Sequence, residues 1–438
     1  MKKYAFVFIT TEGIQHISGG VAHYTSNFIK QIASLKEQIK EYGIDISVYA
    51  CEPALLSILP TYNKKHFNEM KAILKQTGGD FFPLVNNSSG EDWIGSEENW
   101  KIMSSSAATL ALNISRHFDH TIAFYGSSCF AMAQVYIHKQ KKAFRTSIET
   151  VYLTHDSAFS SFFQGKNENI LAMDFLCAQW TNFAKGAKIG YVSNYMRQLF
   201  EDVYQVKREN MISCKGGILI QDKRFSPREQ EYIEELLERY NIPRDKMLVF
   251  SWGRPAQYKR YDLLFQSCNL LDDDFYPVVV NNGDNKILKS YVRSNHFRGM
   301  IIDNYKDFEL INGLVSWKNT LCSCFFSDNE PGAITPIEAM YMSYHGNGVV
   351  LVKKEGHFDE LIEQEVDGFK CNNKPKEIAE KLMQIKELSA IQRACIRKAA
   401  YEKVTTHYSQ YNKYIDTLCA CIPEIECWKE KLKEHVRN

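Results

Sequence analysis

Short apolar runs rich in β-branched and aromatic residues alternate with longer stretches in which apolar positions recur every three or four residues. The short runs have the length of buried strands and the long ones the period of amphipathic helices. Their alternation predicts βαβ units, hence parallel sheets covered by helices. In the first half, strands are expected at 4–10, 46–50, 121–125, 151–154, 188–193 and 211–214. The pattern restarts with 247–252, 276–281, 300–304, 321–326 and 348–352. Between the halves lies a charged, helix-like segment, 227–245, where a domain border is expected. A chain of 438 residues is too long for one ordinary core, which also argues for two domains. The expected organisation is an α/β protein: a Rossmann-like domain over 1–225, a second over 226–406, and a C-terminal helix, 407–438, returning to the first domain. Doubly wound sheets take ligands at the carboxyl ends of their strands, so two of them imply a cleft between those edges. Residues 77–100 read as an irregular excursion, either a binding loop or a solvated surface segment.

Composition narrows the class. Lys plus Arg total 53 and Asp plus Glu 52, which argues against bulk nucleic-acid binding while leaving room for local basic patches. One such patch is 139–145, K-Q-K-K-A-F-R, suited either to a solvated helix end or to an anionic membrane surface. No apolar run approaches the roughly 20 residues of a membrane span. The first apolar run is cut short by Thr10, Thr11 and Glu12, too early for a secretory leader. A cytoplasmic protein is expected, with peripheral contact at the inner membrane face as the one membrane option. The twelve cysteines are scattered, mostly in apolar segments, and Cys322-Ser-Cys324 and Cys419-Ala-Cys421 lack zinc-site spacing. They are expected to be thiols.

The chemistry gathers around one stretch, F-F-S-D-N-E-P-G-A-I-T-P-I-E-A-M-Y from Phe325 to Tyr341. A strand end leads through a glycine-containing loop to a helix starting near Thr335, with Pro336 in its first turn, where a missing N–H is harmless. Free amides and the positive end of the helix dipole make such a joint an anion cradle. Glu330 and Glu338 bracket it with seven residues between them. Phosphates flanked by acids suggest a ligand bearing phosphates and sugar hydroxyls, although the same residues would suit an ordinary strand–helix joint. Arg254 and Lys259 follow the strand ending at Gly253; guanidinium and ammonium at a strand end suit phosphate oxygens. Gly19 and Gly20 precede a helix and let backbone approach a ligand. His155 and Asp156 stand at the carboxyl end of the 151–154 strand, a position that favours ligand contact. His23, His66, His117, His120 and His138 take a structural reading on helices or helix edges. Asn281-Asn-Gly-Asp284 and Lys215-Gly-Gly read as turns, and Asp272-Asp273-Asp274 as a solvated turn rather than a metal site.

Six segments in chain order resemble a GT-B fold glycosyltransferase of the retaining family 4. They are G-G-V-A-H-Y-T, L-T-H-D, Y-V-S-N-Y-M, K-G-G-I-L-I-Q-D-K-R-F-S-P, G-R-P-A-Q-Y-K-R-Y-D and E-P-G-A-I-T-P-I-E-A-M. The last resembles the family's E-x7-E motif and is the most specific. The resemblance implies a nucleotide-sugar donor, of UDP or GDP type, and a retaining hexosyl transfer to a glycan, glycolipid or small-molecule acceptor. Such proteins serve polysaccharide biosynthesis, without metal or other cofactor and without a covalent nucleophile. It implies that Arg254 and Lys259 hold the diphosphate. Amides around Gly332, Ala333, Ile334 and Thr335 would support it. Glu338 would bind ribose hydroxyls, and Glu330 sugar hydroxyls near the anomeric carbon. His155 would touch the donor sugar, and Gly19 and Gly20 would approach the diphosphate or acceptor. The chain departs from the pattern at Gly332-Ala333, where the family has Phe-Gly, at Arg260, where it has Gly, and at Gly216, where it has Asn. Two rivals share the fold: a glycoside phosphorylase using free phosphate at Arg254 and Lys259, and a catalytically silent binding subunit.

Overall fold

A computed structural model describes the chain apart from residues 18, 55–61, 88–95, 156–167, 304–307 and 438. The expectations for Ser18, Asp156, Asn304 and the middle of the 77–100 segment lie outside the described residues. The chain forms two compact units, Met1–Gly216 with Gln410–Asn438, and Gly217–Ser409.

The first unit is built on a seven-stranded parallel sheet. Its strands are β1 (Lys2–Ile9), β2 (Ile44–Pro53), β3 (Phe81–Leu84), β4 (His120–Tyr125), β5 (Ile148–Leu153), β6 (Ala187–Tyr191) and β7 (Met211–Ser213). Their order is β3-β2-β1-β4-β5-β6-β7. Central β1 is buried from Tyr4 to Ile9, because helices cover both faces; it therefore reads as an unbroken apolar run rather than an alternating one. Phe6 and Phe8 pack with Phe28 of helix Gly20–Glu41 on one face. Ala5, Val7 and Ile9 meet Ala107, Ala108 and Ala111 of helix Glu97–Ser115 on the other. The C-terminal segment returns to this unit. Tyr414, in helix Gln410–Cys421, stacks on Phe28 at 4.8 Å and donates its hydroxyl to the Tyr24 carbonyl at 3.2 Å. Trp428 stacks on Tyr42 at 4.4 Å, and Glu424 accepts from Lys2 at 2.7 Å.

The second unit is a six-stranded parallel sheet of β8 (Met247–Gly253), β9 (Phe275–Asn281), β10 (Met300–Ile302), β11 (Thr320–Phe325), β12 (Val349–Lys353) and β13 (Phe369–Cys371), ordered β10-β9-β8-β11-β12-β13. In each sheet the order reverses beside the first strand, at β1/β4 and at β8/β11. Connections leave such a pair in opposite directions, opening a crevice at the carboxyl ends.

Among the described residues, eleven of thirteen strands stand where the pattern predicts; β3 and β13 do not. Pro83 interrupts β3, and that strand survives because it lies at the sheet edge, where a missing N–H leaves one side unpaired at no cost. It falls inside the 77–100 segment, which is therefore not wholly irregular; helix Glu97–Ser115 also begins there. Strand β13 is only three residues long. His120 opens β4 rather than edging a helix, and its ring stacks on Tyr4 at 5.1 Å. The second unit begins at Gly217, not 226: Ile218, in an isolated bridge to Ser409, and Phe225, at the end of the 3-10 turn Lys223–Phe225, belong to its core.

Candidate active site

The crevice of the second unit is framed by the loops after β8 and β11. Strand β8 ends at Gly253, whose φ of +145° disfavours any side chain; a Cβ there would also lie 2.8 Å from the Tyr261 hydroxyl. The chain then makes a 3-10 turn, Gln257–Lys259, passes through Arg260 at φ +53°, and enters helix Tyr261–Cys268. The left-handed position is the one where the resembled pattern carries glycine. Arg260 tolerates it while its guanidinium meets Asp262 and Asp328, both at 3.2 Å.

After β11 the loop turns through Asn329 at φ +53° and delivers Ala333 to the core. Neither Gly332 nor Ala333 is left-handed, so the departure from Phe-Gly does not strain the backbone. Helix Thr335–Met342 starts with Pro336 in its first turn, and Ile334 offers its N-terminus no side-chain cap. Its first-turn amides are thus oriented for an outside acceptor. The two loops are tied together. The Asp328 N–H donates to the Tyr258 carbonyl at 2.8 Å, Lys353 reaches Asp328 at 2.8 Å, and the Lys259 ammonium sits 2.6 Å from Glu330.

That last pair is nearly enclosed, with side chains 14% and 11% exposed. Burial pushes the Glu330 carboxyl up, but the Lys259 charge and hydrogen bond, the Ser327 hydroxyl and the Arg254 charge outweigh it, so it ends below its ordinary value. Burial pulls Lys259 down, and Glu330 more than reverses this. Both groups are therefore held in their charged forms. Arg254 donates to the Tyr258 hydroxyl at 3.0 Å, and its charge is felt by both members of the pair. Glu338 is buried in the first turn of its helix. Burial raises its carboxyl above the ordinary range, opposed by the Arg224 guanidinium at 3.8 Å and a hydrogen bond from the Trp252 indole, and reinforced by Asp222.

The first unit carries the remaining expected residues. Gly19 is the N-cap of helix Gly20–Glu41 and supplies no side-chain oxygen. One turn on, Tyr24 meets the His155 ring edge-to-face at 4.6 Å. That ring lies over Gly126, where a Cβ would come within 3.4 Å of it. The His155 Nε2 is sealed with no hydrogen-bond partner among the described residues, and burial lowers its pKa to about 4. Gly216 has a packing reason for replacing the pattern's Asn, because a Cβ there would lie 3.2 Å from the Tyr24 ring. Behind these groups, Glu52 at the end region of β2 accepts the backbone N–H groups of Ile14 at 2.6 Å and Gln15 at 2.8 Å. Burial raises this carboxyl to about 8 against the pull of those bonds. It fixes the loop between β1 and Gly19.

Lys259 and Glu330 are thus in contact, with Arg254 acting on both; Glu338 joins the same crevice through Trp252, while His155, Gly19 and Gly20 share the crevice of the first unit. Sequence reasoning missed Arg224, Trp252, Asn281 and Glu52. Arg224 stacks over Phe225 at 4.7 Å and faces Glu338, yet in sequence it is one cation in a junction. Asn281 pairs in register with Gly253. It is fully buried, and neither side-chain amide atom has a partner among the described residues. Its N-N-G-D context signalled only a turn.

Residues 233–403 match the family model for glycosyl transferases group 1. No curated protein sequence matches the chain at a significant level. Several solved structures share its fold over nearly their whole length. Sucrose-phosphate synthase from Thermosynechococcus elongatus superposes with a TM-score of 0.73 at 12% identity, covering 97% of this chain and 99% of that one. HepE of Anabaena, crystallised with UDP and glucose, gives 0.67 at 14% identity over 95% and 98%. A glycosyltransferase of Rickettsia africae gives 0.65 at 16% over 97% and 99%. The fold is GT-B: two Rossmann-like domains on parallel sheets. The second of them carries the group 1 sequence pattern.

Proposed function

We propose that the protein is a retaining glycosyltransferase that moves a hexosyl group from a nucleoside-diphosphate sugar to a hydroxyl of a glycan, glycolipid or glycosylated small molecule. The observation that carries this reading is the enclosed Lys259–Glu330 pair at the mouth of β8 and β11, beside a helix N-terminus without a side-chain cap. An ammonium has three donors. Lys259 can keep Glu330 and still offer protons to a diphosphate, with Arg254 adding a second cation. Charge building on the departing diphosphate is met by fixed cations and by the amides at 333–335, which need no reorganisation as the sugar–phosphate bond breaks. Glu330, held ionised by Lys259, is an acceptor for sugar hydroxyls. Glu338 is the acceptor for a ribose. Support for the donor class comes from HepE, a structure of the same fold that holds UDP-glucose. No metal is assigned a step.

Release of nucleoside diphosphate from a panel of UDP- and GDP-sugars, with and without glycan and glycolipid acceptors, tests the proposal. Product NMR reads the anomeric configuration. Retention, and a loss on the order of a hundredfold or more in Lys259→Ala, are expected. Folded protein that releases no nucleotide, but forms sugar 1-phosphate from a disaccharide and free phosphate, would overturn it.

A further inference from the structure

His155 and Gly19 stand at the carboxyl ends of the first unit's strands. The opposite edge of that sheet has a different character. Helix Ala131–Phe144 ends there in Lys139, Lys141 and Lys142, with Arg145 left-handed at its C-cap. The turn after helix Glu168–Trp180 carries Phe183, whose N–H donates to the Trp180 carbonyl at 3.1 Å, and Lys185. Lys141 donates to the Lys185 carbonyl at 2.8 Å, and the Lys139 ammonium lies 6.0 Å from the Trp180 ring centre. Lys141, Lys142, Arg145 and Lys185 line a shallow cavity of about 300 Å³ at the start of β5 and β6. The acid that lines it, Glu149, is engaged by Lys188 at 3.6 Å. The cations crowd one another: burial, then Lys185 and Lys142, lower the Lys141 pKa, with Glu149 opposing. In a chain of net charge +1 this is a local concentration, not an overall bias.

A helix C-terminus attracts cations by its dipole, which accounts for lysines at the end of 131–144. It does not account for Lys185 or Phe183. Phe183 is 81% exposed, the most exposed large apolar side chain among the described residues. An exposed aromatic ring on the same turn as Lys185, whose side chain lines the basic cavity, matches the two features of an anionic bilayer surface, charged head groups above an apolar boundary. We propose that this face docks on an anionic lipid bilayer, Phe183 entering at head-group depth while Lys139, Lys141, Lys142, Arg145 and Lys185 meet lipid phosphates. A soluble polyanion would need the cations but not the ring. The inference stands apart from the transfer reading, since it uses none of the crevice residues.

Co-sedimentation of the full chain with vesicles of phosphatidylcholine alone, or with about a third phosphatidylglycerol, tests it at low and high salt. Binding to the anionic vesicles, weakened by salt, is expected. Neutralising Lys142, Arg145 and Lys185 to Gln together should weaken partitioning on the order of a hundredfold, at roughly fivefold per cation. Phe183→Ser should weaken it while leaving the melting temperature unchanged. In Phe183→Trp, the emission of the added indole should shift to shorter wavelength on vesicles. Absence of binding by the wild type, or equal binding by both variants, overturns the proposal. So does heparin binding as tight as vesicle binding that is indifferent to Phe183→Ser, which would assign the face to a soluble polyanion.

Discussion

Replacing Lys259 by Met removes the positive half of an enclosed ion pair and leaves its stem. Glu330 then keeps the burial that pushes its carboxyl up and loses the largest influence holding it down. Breaking a buried pair by removing one partner costs about 3–5 kcal/mol, because the survivor is an uncompensated charge. With both side chains 11–14% exposed, the lower end, about 3 kcal/mol, applies. At roughly 2–4 °C per kcal/mol for a unit of this size, the second unit should melt about 6–12 °C lower at pH 7. The pH dependence fixes the cause. In the wild type the Glu330 pKa is depressed, so its contribution is present above the ordinary carboxylate pKa and lost as pH falls through the folded value. In Lys259→Met burial dominates, the pKa rises, and protonation relieves the variant. The deficit should therefore shrink steadily between pH 7 and pH 4. Differential scanning calorimetry across that range reads it. A deficit below about 1 kcal/mol, or one independent of pH, would refute the reasoning and make the pair an ordinary surface contact.

Three further outcomes are expected of residues outside that pair. Glu52→Gln turns an acceptor oxygen into a donor facing the Ile14 or Gln15 N–H; urea denaturation should show a loss of about 1–3 kcal/mol at neutral pH. Because the Glu52 carboxyl is raised to about 8, its contribution is present below the ordinary carboxylate pKa and lost as pH rises through 8, a slope the variant should lack. His155 should titrate by NMR near 4, as its burial implies, and a midpoint near its ordinary value would mean the ring is wet. Its depressed pKa favours the unfolded state as pH falls from its ordinary value towards 4, so acid should weaken the first unit and His155→Phe should flatten that slope. Gly253→Ala meets both a φ of +145° and the Tyr261 hydroxyl, at a cost of roughly 1–3 kcal/mol; Tyr261→Phe in the same chain should recover part of it, and no recovery would assign the whole cost to the backbone.

The central strands were legible because sheets covered on both faces impose uninterrupted apolar runs, as in β1 and β9. β3 was not, since Pro83 masks an edge strand, nor was β13, where Lys370 breaks the apolar run between Phe369 and Cys371. Glu330, Glu338, Arg254 and Lys259 could be singled out by residue type and by their places after strands. Their pairing could not be read: Lys259 and Glu330 are 71 positions apart, and only the sheet order brings β8 beside β11. Arg224 and Glu338 are joined by packing of the Lys223–Phe225 turn on the Glu338 helix, where Phe225 meets Tyr341 at 5.8 Å. Glu52 looks in sequence like one more acid after an apolar run; its burial depends on the loop that folds over it. The left-handed turn at Arg260 was half visible, as a departure from glycine whose backbone conformation only the structure supplies.

The proposed transfer requires a nucleotide site in the crevice of the second unit. Isothermal titration calorimetry of UDP, GDP and their sugars, against the wild type and Glu338→Gln, tests it most directly. Binding of one base with a single site, weakened at least tenfold in the variant while the melting temperature without ligand stays within a few degrees, is the predicted result. Folded wild-type protein that binds no nucleoside diphosphate, or a variant that binds as tightly as the wild type, would contradict it.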